Sequence, residues 1–241
     1  MNKTGQIIMP TKSARTVSNV IFFFGIFLGL TLAITVIWAA LEAQTYFYTG
    51  ATYEAFNGLR CPLFLTRSET GTITATFDNP GGQEIQPYYK VETSGLLARR
   101  FENQFTLAAR ESKSVQWTVD ANDIDLGSFI FVKLNILPDA NHWTRQALCG
   151  IFVLNVPGLT GGQIFIFTLL VSLSAIAFGF ILQNRLPDKN ESRNLGRATQ
   201  ALGVSTLAAM LFAFIGWTLA GLIFGIIAIL LLFIILRFAV A

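Results

Sequence analysis

Residues 20–41 read VIFFFGIFLGLTLAITVIWAAL, an uncharged apolar run long enough to cross a membrane as one helix. An α-helix of about 20 apolar residues spans the hydrocarbon core of a bilayer, which is roughly 30 Å thick. A cleaved signal peptide is the competing interpretation, but its apolar region has only about 7–15 residues and ends at a small-residue site, which Leu41-Glu42-Ala43 matches poorly. We therefore interpret residues 20–41 as a retained transmembrane helix.

Further apolar regions lie toward the other end of the chain. Residues 163–182 predict a second span, and residues 198–236 form a longer stretch without charge. At about 1.5 Å per residue, that stretch would extend roughly 60 Å as one helix, about twice the hydrocarbon thickness. It therefore predicts two helices, 198–216 and 219–238. Gly216-Trp217-Thr218 is the expected turn, because glycine relaxes the backbone and Trp prefers the membrane interface.

Positive charge near the span ends predicts the orientation of the chain. Lys and Arg concentrate in residues 1–19, in the loop 183–197 and at Arg237. Because Lys and Arg flank membrane helices on the cytoplasmic side, we expect both termini and the loop to be cytoplasmic. Residues 42–162 are then extracytoplasmic, and the protein is predicted to be a multi-pass protein of the cell (plasma) membrane.

Charge is also distributed unevenly along the chain. The 241 residues are 53% hydrophobic and 13% charged, whereas a soluble domain is about 25% charged. The segment 42–162 has a net charge of −3 and the rest has +6, which together give the net charge of +3. The positive charge therefore flanks the membrane, and nucleic acid is not an expected partner.

The segment 42–162 has the pattern of a β-domain. Apolar and polar residues alternate over 72–77 and 114–119, while 129–136 and 150–156 are apolar on both faces, as in buried strands. Turn residues separate these runs. About seven short strands predict a two-sheet sandwich.

Cys61 and Cys149 are the two cysteines of the chain, and both lie in this segment. Two cysteines in a segment assigned outside the cytoplasm favour a disulfide. Two buried free thiols are the alternative, because the sequence does not show whether the cysteines approach closely enough.

Two stretches carry a resemblance to a known family: TITATFDNPGG at 72–82 and LAARESKSVQWTV at 107–119. They resemble bacterial immunoglobulin-like β-sandwich domains of the cell-adhesion-related type, over about 50 residues. The resemblance implies a spacer or contact domain without catalytic activity.

Candidate catalytic and metal-binding residues are few. His142 is the only histidine, so we expect no zinc or haem site and no His-dependent nucleophile. The glycines of 157–162 lack the lysine of a phosphate-binding loop. Asp120, Asp123 and Asp125 lack the glycine and distal glutamate of an EF-hand, which favours a solvated turn over a calcium site. We predict that the protein is not an enzyme and has no metal or cofactor.

Each predicted span contains small residues four positions apart, which allow helices to approach closely in lipid. They pack either within this chain or against another chain. The Phe-rich first span, with Phe22, Phe23, Phe24 and Phe27, is expected to face lipid or a hydrophobic partner. The candidate helix-packing residues are Gly25, Gly29, Ala175, Gly179, Ala209, Ala213, Gly221 and Gly225.

These features predict a structural or accessory subunit of a larger membrane complex. Its partners would be the lipid bilayer and other membrane-protein subunits, contacted partly through the β-domain. The apolar stretches 20–41, 163–182 and 198–236 contain no Asp, Glu, Lys, Arg or His, which argues against an ion-coupled transporter. A transport or channel component, a membrane enzyme whose cofactor comes from another subunit, and a cell-surface binding module with exposed aromatics are the alternatives.

Overall fold

The computed structural model describes residues 11–48, 53–95, 98–137, 145–185 and 193–240. The chain divides into two compact units. The first comprises Met1–Ile34 and Ile166–Ala241, and its described part is helical. The second comprises Thr35–Phe165 and holds all nine described strands. The prediction of an α + β protein is therefore confirmed.

Four long helices form the helical framework of the described chain. The first, α1, has 36 residues, so it is about 54 Å long at 1.5 Å per residue. Its first part belongs to the helical unit, and the part from Thr35 onward belongs to the β unit. The helix bounds are α1 Thr11–Tyr46, α2 Gly161–Arg185, α3 Arg193–Phe214 and α4 Thr218–Val240.

Three of these helices are long and apolar enough to cross a membrane, which is consistent with a membrane protein. They are Thr16–Tyr46, Gly161–Gln183 and Thr218–Arg237. The sequence predicts four spans, with α3 as the additional one. However, α3 begins at Arg193 and includes Arg197, so its uncharged part starts only at Ala198 and ends at Phe214. That uncharged part has 17 residues, fewer than the roughly 20 that span the hydrocarbon core.

The turn between α3 and α4 follows from the residue at position 216. Gly216 has a φ of +83°, and its N–H bonds to the carbonyl of Ala213, while Trp217 N–H bonds to the carbonyl of Phe212. These two bonds form a Schellman motif, which satisfies the last carbonyls of a helix. The Trp217 ring stacks on Phe212 at 5.8 Å, which adds the hydrophobic contact typical of this motif.

The strands of the β unit form two sheets. The larger sheet has the order β1-β9-β8-β5-β6, with β3 also paired to β9, and the smaller has the order β2-β4-β7. The sequence predicts about seven strands, whereas the described chain has nine, because β1, β2 and β3 are too short to show an alternation. The strand bounds are β1 Glu54–Ala55, β2 Leu59–Arg60, β3 Phe64–Thr66, β4 Gly71–Asp78, β5 Tyr88–Thr93, β6 Arg100–Gln104, β7 Ser112–Val119, β8 Phe129–Leu137 and β9 Arg145–Leu154.

One hydrophobic core lies between the two sheets. Ile73, Ala75 and Phe77 of β4 point into it, as their alternation with threonines predicts. Val132 of β8 and Ile151 of β9 enter the same core from the larger sheet. Because β4 pairs with β7 over eight residues and β8 pairs with β9 over eight, long antiparallel ladders support both faces of this core.

We predict that Gly216→Ala lowers the stability of the helical unit by about 1 kcal/mol, because the left-handed backbone at this position suits glycine. Gly196→Ala is the matched control, since Gly196 lies within α3, has no positive φ and has open space around it. Thermal unfolding of both purified variants in the same detergent measures the difference. Equal midpoints for the two variants would contradict the Schellman assignment.

Candidate functional site

The disulfide lies where the chain crosses between the two sheets. β1 pairs with β9, β2 pairs with β4 of the other sheet, and β3 returns to β9. Cys61 directly follows β2 and is bonded to Cys149 of β9, with 6.5 Å between the Cα atoms. Cys149 lies between Gln146, which pairs with β1, and Phe152, which pairs with β3. The predicted disulfide is therefore formed, and it fastens the crossing segment to β9.

The last part of α1 packs on the outer face of the larger sheet. Ala39 and Ala43 are buried against Phe129 and Phe131 of β8. At Gly150 of β9 the backbones approach so closely that a Cβ would lie 1.9 Å from the carbonyl oxygen of Ala39. A glycine is therefore required at this position. The helix explains why β8 is buried on both faces, as its apolar sequence predicted.

Two aromatic contacts and a hydrogen bond hold this part of α1 in place. The Trp38 ring lies 6.0 Å from that of Phe129, and the Tyr46 ring lies 4.9 Å from that of Phe131. Tyr46 Oη donates a hydrogen bond of 2.7 Å to Asp125 Oδ2. This hydrogen bond is the main cause that lowers the pKa of Asp125 below its usual value. The ionised carboxylate therefore favours the docked helix.

The start of α2 is held by two separate sets of polar contacts. Thr160 and Gln163 form a capping box: Thr160 N–H donates to Gln163 Oε1 at 3.0 Å, and Gln163 N–H donates to Thr160 Oγ1 at 3.2 Å. The N–H of Gly161 donates to Glu69 Oε2 at 2.7 Å. A carboxylate at a helix N-terminus is stabilised by the helix dipole. The linker 157–162 therefore anchors a helix.

The acidic turn at 120–125 is an ion-paired site. Asp123 is 1% exposed, and its carboxylate accepts hydrogen bonds from Arg99, from Thr93 Oγ1 and from Asp120 N–H. Asp125 binds Tyr46 instead. The interpretation of a solvated turn is therefore wrong for Asp123, because a buried carboxylate needs such partners. Within the described part of the chain, no three His, Cys, Asp or Glu residues converge to hold a metal.

In the helical unit, α1 and α2 pack through glycines and serines. A Cβ on Gly25 would lie 2.7 Å from the Ile176 nitrogen, and one on Gly179 would lie 2.7 Å from the Cβ of Phe22. The two helices exchange hydrogen bonds in this contact. Ser172 Oγ donates to the carbonyl of Gly25 at 2.8 Å, and Ser18 Oγ donates to that of Gly179 at 2.9 Å.

The remaining candidate packing residues have different surroundings. Gly29 faces Ser172 of α2 and Met210 and Thr206 of α3. Four further candidates are also buried, whereas Ala175 is half-buried. The four are Ala209, Ala213, Gly221 and Gly225. A Cβ on Gly225 would have nothing within 4 Å. Gly25, Gly29 and Gly179 thus pack within this unit, and contact of any candidate with another chain stays a prediction.

The sequence predicts that the phenylalanines of the first span face lipid or a hydrophobic partner. This prediction is wrong for Phe22. Phe22 is 1% exposed in the core of the helical unit, whereas Phe24 and Phe27 are exposed. His142 and Trp143 lie outside the described residues.

Several functional contacts have weak or no sequence signals. The Thr-x-x-Gln spacing of Thr160 and Gln163 marks a capping box and could have been found. The roles of Gly150, Glu69 and the pair Arg99–Asp123 depend on residues distant in sequence. They could not be predicted without the fold.

No protein-family profile matches the chain, and no curated protein matches it significantly. Solved structures match parts of it. The CARDB domain of a Pyrococcus furiosus protein in complex with di-metal ions has 10% identity and a TM-score of 0.32 over 41% of this chain and 90% of that chain. The sporulation control protein Spo0M of Bacillus subtilis has 12% identity and a TM-score of 0.29 over 41% of this chain and 49% of that chain.

Red sea bream transglutaminase also matches, with 13% identity and a TM-score of 0.33, over 42% of this chain and 17% of that protein. A CARDB domain is therefore among the structures that part of this chain resembles, at low identity and coverage. Identities and TM-scores at this level show nothing about activity.

We predict that replacing both cysteines, Cys61→Ala and Cys149→Ala, destabilises the β unit by about 4 kcal/mol, because the bond closes a loop of 88 residues. Chemical denaturation followed by Trp fluorescence measures the loss, since Trp117 is buried in the core. Reductant should lower the denaturation midpoint of the parent protein and leave the double variant unchanged.

We predict that Gly150→Ala weakens the docking of α1 and destabilises the β unit by about 1–3 kcal/mol, as overpacking of a tight contact does. Gly82→Ala is the control, because a Cβ added at Gly82 would meet no atom within 4 Å and the residue has no positive φ. Hydrogen exchange of the amides of 35–46 reports the docking directly. Unchanged protection in the Gly150 variant would show that this contact does not hold the helix.

Proposed function

We propose that this protein is a non-enzymatic multi-pass membrane protein that serves as a structural or accessory subunit of a larger membrane complex. In this proposal α1, α2, α3 and α4 all cross the bilayer. The β unit forms an immunoglobulin-like sandwich outside the cytoplasm, and the termini lie in the cytoplasm. The sandwich makes protein contacts, as a spacer or contact domain.

The observation that carries the proposal is the continuity of α1. This helix passes from the helical unit into the β unit without a break, and it is packed in both. In the helical unit it contacts α2 through Gly25. In the β unit it contacts β9 at Gly150. A continuous helix of this kind suits a protein that holds a domain at a membrane.

The exposed faces of the helices support a role in assembly. About half of the α1 span is buried, whereas less than a quarter of the α2 and α4 spans is buried. Phe167 of α2 and Phe233 of α4 are 71% and 67% exposed. These faces are available to lipid and to other membrane helices. Helices associate in lipid through close van der Waals packing. A neighbouring chain that packs against these faces would therefore bury them.

A photo-crosslinking amino acid at Phe167 and at Phe233 tests the proposal in growing cells. We expect discrete adducts with another polypeptide at one or both positions, identified by mass spectrometry after mild-detergent purification. The same amino acid at Phe22, which is buried within the helical unit, should give no adduct with another chain. Lipid adducts alone at both exposed positions would contradict a subunit role.

The orientation is tested separately with reporters fused at residue 190 and after the last residue. Both should be active only in the cytoplasm. Activity of the residue 190 fusion outside the cytoplasm would overturn the proposed topology without affecting the crosslinking result.

A further inference from the structure

The loop before β8 carries an exposed leucine in an unfavourable backbone conformation. Asp125 and Phe129 pair through two backbone hydrogen bonds of 2.7 and 3.0 Å and so close the loop. At its tip, Leu126 has a φ of +45° and is 61% exposed. Asn or Gly is the usual residue in this region of backbone space. An apolar side chain is thus presented here against the local conformational preference.

Arg67 ties this loop to the linker that leads into α2. The Arg67 guanidinium donates to the carbonyl of Gly127 at 3.1 Å, and the Arg67 N–H donates to the carbonyl of Leu154 at 3.1 Å. Two residues later, Glu69 accepts the hydrogen bond from Gly161, the first residue of α2. Leu126 therefore lies at the end of the β unit from which a helix able to cross a membrane starts.

The linker exposes apolar side chains at the same end. Leu159 is 50% exposed and Val156 is 38% exposed, on either side of Gly158. The opposite end of the unit is marked by Leu137 at the end of β8, about 30 Å away along the strand. Ile85 belongs to that opposite end, because it precedes β5, whose Tyr88 pairs with Leu137.

We propose that Leu126 and Leu159 insert into the interfacial region of the phospholipid bilayer that α2 crosses. The inference rests on the proposed membrane function and adds a contact surface to the β unit. Exposing these apolar side chains to water is energetically unfavourable. In the membrane interface they would be buried among headgroups and upper acyl chains. The contact fixes the base of the β unit on the membrane.

Single cysteines that carry an environment-sensitive fluorophore test the contact, in full-length protein that retains its disulfide. Leu126→Cys and Leu159→Cys are compared with Ile85→Cys at the opposite end and with Phe167→Cys on α2. Each protein is reconstituted in nanodiscs of phosphatidylcholine and phosphatidylglycerol, with and without a nitroxide-labelled phosphatidylcholine that quenches near the headgroup. We expect quenching and blue-shifted emission at 126, 159 and 167, and neither at 85.

The outcomes separate this inference from the proposed function. Quenching at 167 with positions 126 and 159 no different from 85 would overturn the interfacial contact and leave membrane anchoring intact. Absence of quenching at 167 would overturn the membrane function itself. Blue-shifted but unquenched emission at 126 and 159 would indicate a protein partner and would also overturn the lipid contact.

Leu126→Asn provides a test without a label. Asparagine suits the left-handed backbone, so the variant should unfold in detergent at the same temperature as the parent or higher. Transfer from detergent to nanodiscs should raise its midpoint less than it raises that of the parent. An equal rise for the parent, Leu126→Asn and the control Ile85→Asn would contradict the contact.

Discussion

The close approach of α1 to β9 is the contact on which the architecture of the β unit depends. Because Gly150 has no side chain, the carbonyl of Ala39 can occupy the position that a Cβ would take. The helix can then cover Phe129 and Phe131, which would otherwise face solvent from the outer side of the sheet. The part of α1 that makes this contact belongs to a helix that is long and apolar enough to cross a membrane.

The helical unit uses the same principle with different chemistry. Glycines bring α1 and α2 together, and each helix donates a serine hydroxyl to a carbonyl of the other. In an apolar environment an unpaired hydroxyl is costly, so these bonds fix the register of the two helices. Ser172 is 0% exposed and engaged in this contact.

A disulfide and two sets of polar contacts fasten the chain at three points of the β unit. The disulfide holds the crossing from β2 to β3. Glu69 and the capping box hold the start of α2, and Tyr46 with Asp125 holds the end of α1. These attachments also support a structural role, because they hold the end of α1 and the start of α2 within the β unit.

The sequence by itself determined the apolar helices, the β-domain between them and the turn at Gly216, because these depend on local hydrophobicity, alternation and backbone freedom. It also indicated the disulfide, since two cysteines in one segment leave a single intramolecular pairing. Only the tertiary structure decided that Asp123 is buried with Arg99, that Phe22 faces inward and that Gly150 receives α1. Those facts arise from contacts between residues far apart in the chain, and local sequence patterns do not specify which distant surfaces meet.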